Sequence, residues 1–151
     1  KTLNKLNAPP MQDLGNGEVG WVVGAHNIKE KLEAVFFQTA DFKATKEHFN
    51  PSTRKLFIPD FSTEVKQIVH KGLSDHQFIS NAIKNTNNYI SNTSIKGVPY
   101  PPIYKHAFTY NSNTWAQSLT HYSGGESNYF PTGFSPGQFM QLESNFFSPL
   151  P

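Results

Sequence analysis

The chain has 151 residues, of which 36% are hydrophobic and 16% charged, with no cysteine and a formal net charge of +2. That length fits one domain with a proper core. The missing cysteine excludes a disulfide scaffold, a thiolate zinc site, an iron–sulfur cluster and a cysteine nucleophile. The longest apolar run, Ala34 to Phe37, falls far short of the roughly 20 residues of a membrane span, and no basic run marks a nucleic-acid surface.

Lys1–Asn16 is polar, carries Pro9-Pro10 and has no periodicity, so it reads as a connector, with one domain over 17–151. A chain that opens on Lys1 without a signal-peptide pattern is expected to be processed, or to be the end module of a longer polypeptide. After the turn signal Gly15-Asn16-Gly17, the valine-rich run Glu18–His26 predicts a strand. Asn27–Glu30 turns the chain, and the apolar, aromatic Leu32–Thr39 is the strongest strand signal. Asp41–Asn50 predicts a helical turn, and Lys55–Ile58 a short strand stopped by Pro59.

Next the period lengthens. Ser62 as N-cap, Glu64 in the first turn and Val65, Ile68 and Val69 at helical spacing predict a helix over 63–71, ended by Gly72. Ser74 with Gln77 forms a capping-box pattern, and Phe78, Ile79, Ala82, Ile83 and Ile90 predict a helix over 75–91. Gly97–Pro102 must be extended, and Tyr104–Tyr110 alternates as a short strand. Trp115, Leu119 and Tyr122 share one face of a third helix starting at Ser112 or Asn113 and stopped by Gly124-Gly125. The Phe- and Pro-rich tail, Glu126–Pro151, reads as irregular, with a helical turn around Gln138–Leu142. The expected class is α+β: a small, mainly antiparallel sheet packed against about three helices.

Chemistry concentrates at Tyr110-Asn111-Ser112-Asn113-Thr114-Trp115, where polar residues lead directly into an amphipathic helix. A hydroxyl at a helix start sits among unpaired N–H groups and the positive dipole end, which favours a nucleophile or an oxyanion. A cap at Ser112 or Asn113 accounts for the same residues structurally. The six histidines contain no His-Glu-x-x-His pattern, so neither a metal nor a cofactor is expected. His70 and His121 fit the last turns of their helices, where a cation suits the dipole.

The segment resembles the nucleophile motif of the circularly permuted papain-like group, which includes NlpC-type hydrolases and lecithin:retinol acyltransferase-like enzymes. Asn111, Asn113, Thr114, Trp115 and the terminal Gly124 match it, and the helices over 63–71 and 75–91 fit the permuted order. Two positions depart from the motif. Ser112 stands where the group has cysteine, so a hydroxyl would need a stronger base. No histidine opens Leu32–Thr39, where Glu33 stands instead, and His26 is the nearest substitute.

The resemblance implies a hydrolase or acyltransferase with Ser112 as nucleophile, His26 as base, and Asn111 with the helix-start amides as the oxyanion site. Its substrate would be an amide or ester in a peptide, a peptidoglycan stem or a lipid. Such a module suits a bacterial toxin or effector, secreted or delivered into a target cell and met by a cognate inhibitor (immunity) protein. Two alternatives stand beside it. One is a metal-independent toxin ribonuclease acting on RNA through His106, His121, Lys105 and Tyr110. The other is a catalytically inactive binding module of the same fold.

Overall fold

The computed structural model describes residues 7–15, 17–50, 55–58, 61–63, 68–100, 110–126 and 141–151; at 44, 47–50, 55–58 and 61–63 it describes the backbone alone. The fold is α+β, with antiparallel strands in short separate ladders and three α-helices among the described residues. The chain forms two compact units: residues 1–8, 25–34 and 68–151 in one, residues 9–24 and 35–67 in the other.

In the second unit, β1 (Gln12–Gly15) pairs antiparallel with β2 (Glu18–Gly20), so a strand occupies the last part of the segment expected as a connector. The predicted strand Glu18–His26 is two strands, because the chain breaks at Trp21-Val22 before β3 (Val23–Ile28). Trp21 Nε1 donates to the Pro9 carbonyl at 2.7 Å, which fixes that break. The following strand, β4 (Lys31–Phe36), ends earlier than Thr39, because Phe37 takes a left-handed φ of 52°. The Gln38 side chain then accepts from Ala40 N and Asp41 N, capping α1 (Thr39–His48). A full ten-residue helix thus replaces the expected single turn. β5 (Phe49–Asn50), β6 (Lys55–Ile58) and β7 (Phe61–Thr63) form an antiparallel ladder.

The helix expected over 63–71 is not formed in its described parts. Ser62, expected as its cap, pairs with Phe57 inside β7, and residues 68–70 are irregular. Val69 O accepts from Glu126 N at 2.8 Å, a bond to a remote residue and not to the next turn of a helix. Ile68 and Val69 are 39% and 51% exposed, so neither buries enough apolar surface to offset helix nucleation, and β-branched residues tolerate the extended form.

The first unit holds the core. Strands β3 and β4 form a hairpin whose turn is Lys29-Glu30, both at positive φ (51° and 62°), as a two-residue type I′ turn requires. Asn27 Oδ1 accepts from Glu30 N and steadies this conformation. The free edge of β4 meets the segment after α2: Leu32 N donates to Val98 O, and Tyr100 N to Glu30 O, both at 2.8 Å. Helix α2 (Asp75–Ile95) starts at the predicted capping box, with Ser74 Oγ accepting from Gln77 N and Gln77 Oε1 from Ser74 N. It buries Ile83, Thr86 and Tyr89, while Ile79 and Ile90 of the expected stripe are exposed.

Helix α3 (Ser112–Tyr122) ends as predicted. Gly124 N donates to His121 O and Gly125 N to Thr120 O, the paired bonds of a Schellman cap, with Gly124 at φ 98°. Tyr89 packs on Trp115 and Phe147, and Leu32, Leu119 and Leu142 are buried in the same unit. Phe147 lies in a 3₁₀ turn, Ser144–Phe147; the tail's helical turn thus falls later than the predicted Gln138–Leu142, of which only the end lies within the described residues.

Tyr89 carries the core's one marked electrostatic feature among the described residues. Its hydroxyl donates to Leu32 O at 2.8 Å. Burial, and behind it the Glu33 carboxylate, push the phenol far above the ordinary tyrosine range. The unfolded chain therefore releases this proton near pH 10 while the folded chain keeps it, so stability falls as pH rises beyond about 10. Urea midpoints at about pH 8 and about pH 11 are expected to diverge more in the native chain than in Tyr89→Phe, which has no proton to lose. An equal divergence in both would remove Tyr89 as its source.

Candidate functional site

The start of α3 is built by Asn111. Its backbone is extended (φ −147°, ψ −171°), and its Oδ1 accepts from Asn113 N at 3.0 Å and Thr114 N at 3.2 Å. In return Thr114 Oγ1 accepts from Asn111 N at 3.2 Å, and Asn111 O takes Trp115 N at 3.0 Å. Asn111 and Thr114 are 2% and 0% exposed, so this exchange is shielded from water. The cap thus falls one residue before Ser112 and two before Asn113, the caps read from the sequence, while the helix itself starts at Ser112. Asn111, expected to shape an oxyanion site, accepts with its side chain from two of the first three amides of the helix.

Ser112 is the first helical residue and is half-buried. Among the described residues no hydrogen bond joins its Oγ to a histidine ring. His26 lies on β3, half-buried, and takes part in interactions of its own. Of the alternative set, Lys105 and His106 lie outside the described residues, as does the predicted strand 104–110 apart from its last residue. Tyr110 is half-buried just before the cap, and His121 is exposed in the last turn of α3, its ring edge-on to Tyr122 at 5.1 Å.

His70 is corrected in place. It does not end a helix but stands before α2, where Nδ1 is 3.1 Å from Leu73 O and Nε2 is 2.9 Å from Asp75 Oδ1. Its ring stacks on Phe78 at 5.1 Å. Among the described residues no three His, Asp or Glu side chains gather as metal ligands, and no helix is long and apolar enough to cross a membrane.

Two arrangements were not read from the sequence. The first is an asparagine ladder along α2. Asn81 and Asn85 donate to Ser123, Asn88 to Phe147 O, and Asn92 to the carbonyls of Asn145, Phe146 and Ser148. From α3, Ser118 Oγ accepts Leu142 N and the Tyr122 hydroxyl donates to Leu142 O. The tail is therefore gripped through its main chain. The i, i+4, i+7, i+11 spacing of these asparagines was the available signal.

The second is a half-open cleft of about 390 Å³ in the second unit, lined by Phe37, Thr39, Phe42, Lys43 and Lys46. The Phe37 and Phe42 rings meet edge-to-face at 5.2 Å, and Lys46 Nζ lies 5.5 Å from the Phe42 centroid. The Phe42–Lys46 spacing of four, after an apolar strand, was the visible signal. Comparison with protein-family models, with curated proteins and with solved structures finds no match to this chain.

Proposed function

We propose that this chain is a non-catalytic binding module, not a Ser112-dependent hydrolase or acyltransferase. The observation that carries this reading is the closed start of α3, where Asn113 N and Thr114 N are committed to Asn111 Oδ1. An oxyanion there would have to displace a buried cap, and a buried hydrogen-bonding group left without its partner costs about 1–3 kcal/mol. Among the described residues no histidine ring is hydrogen-bonded to the Ser112 hydroxyl, and a serine hydroxyl is a weak nucleophile without an adjacent base. The cleft supports binding as the activity: it is concave, part apolar and part cationic, and its volume is that of a small-ligand site.

The test is covalent. A fluorophosphonate probe, which reacts with activated serines, should leave Ser112 unmodified by mass spectrometry under conditions that label a known serine hydrolase fully. Stoichiometric labelling of Ser112 that disappears in His26→Ala would overturn the reading and restore the hydrolase. A matching stability prediction follows from the same geometry. Asn111→Ala is expected to lose about 0.5–2 kcal/mol as a cap, and Ser112→Ala to stay within about 0.5 kcal/mol of the native chain, both by urea denaturation.

A further inference from the structure

We propose that the cleft of the second unit binds a nucleotide unit, its base against Phe37 and Phe42 and its phosphate at Lys46, with Lys43 and Thr39 completing the lining. This deepens the binding reading above and rests on it. Three observations point the same way. Phe37 is a bulky residue held at φ 52°, a conformation that side chains of its size rarely adopt and that clusters at ligand sites. The strain is held by the Phe37 N–H, which donates to Val22 O at 2.8 Å, and by the edge-to-face contact with Phe42. Local backbone geometry therefore sets the ring that lines the cleft.

Helix α1 supplies the second observation. Lys46 is the i+4 neighbour of Phe42 and the i+3 neighbour of Lys43, all three residues line the cleft, and Lys46 Nζ lies over the Phe42 ring. Lysine is a point-charge phosphate binder, and aromatic faces stack on any base. The third is size. At about 390 Å³ the cleft lies in the lower part of the small-ligand range, which a base, sugar and phosphate suit. A single phosphorylated ring, such as a phosphotyrosine side chain, would leave much of it empty.

The experiment titrates the intact chain with adenosine monophosphate, adenosine, inorganic phosphate, a short single-stranded oligonucleotide and phosphotyrosine, following the Phe37 and Phe42 ring resonances. Adenosine monophosphate is expected to shift both rings saturably, with adenosine and phosphate each binding at least about tenfold more weakly, the equivalent of one lost charge-assisted contact. Lys46→Gln should weaken the monophosphate about tenfold and leave adenosine unchanged, and Phe42→Leu should weaken both, with melting curves confirming that each variant is folded. Either a tighter oligonucleotide or an equal one supports the site; the first makes a single strand the source of the nucleotide, the second a free nucleotide. The proposal is overturned by rings that do not shift saturably, by unchanged binding in folded Lys46→Gln, or by tighter binding of phosphotyrosine. Labelling of Ser112 would remove the non-catalytic reading and leave these titrations standing, whereas failed titrations remove the nucleotide assignment alone.

Discussion

Trp115→Ala is expected to cost about 3–5 kcal/mol, a large share of the roughly 5–15 kcal/mol that holds a domain of this size together. The indole is 2% exposed and lies edge-on to the Tyr89 ring at 6.0 Å. Removing it deletes the largest fully buried side chain of the core and leaves a void that helices α2 and α3 cannot close without moving. Among the described residues the buried indole N–H has no hydrogen-bond partner, so part of what the ring contributes is already offset by that desolvated donor. Trp115→Phe, which keeps an aromatic ring and removes the donor, should therefore lose far less than the alanine variant. Urea denaturation of the two variants checks this; near-equal losses would show that the ring's bulk is not what the core needs.

Phe147→Ala should cost a similar amount, about 3–5 kcal/mol, although it lies four residues from the end of the chain. Its ring is 3% exposed and packs at 5.4 Å from Tyr89 and 5.3 Å from Tyr122. Its carbonyl accepts from Asn88, and the neighbouring carbonyls converge on Asn92. Helix α2 thus treats the tail as a bound peptide, with main-chain hydrogen bonds fixing its path and aromatic contacts supplying the buried area. A loss below about 1 kcal/mol, the level of ordinary surface substitutions and weak contacts, would mean that the tail rests on the domain without belonging to its core.

What the sequence showed most clearly were the features written in local chemistry. Ser74 with Gln77 and Gly124-Gly125 are signals whose physics is complete within a few residues, and both ends form as read. The α+β class followed from the change of period along the chain. The failures lie where distant partners decide. Val65, Ile68 and Val69 have helical spacing, but the described residues Ile68 and Val69 face solvent, and Val69 O bonds Glu126 N instead. Nothing local told of that partner.

The α3 start shows a different limit. Asn111, Ser112 and Asn113 are all good cap types, so composition could not choose among them; the extended backbone at Asn111 and its exchange with Thr114 decided it. Asn111 and Thr114, two of the residues that match the papain-like motif, are also the two that form the capping box. The Phe37 conformation was invisible for another reason. A phenylalanine in an apolar run reads as strand, and only the bond to Val22 shows where the chain leaves it.

The central claim, that the amides at the start of α3 are closed by the chain's own side chain, is tested most directly by amide hydrogen exchange read residue by residue. Asn113 and Thr114 are predicted to exchange slowly in the native chain, to lose that protection in Asn111→Ala and to keep it in Ser112→Ala. Exchange of both amides at the rate of an unstructured peptide in the native chain would contradict the claim and return the helix start to the role of an open anion site.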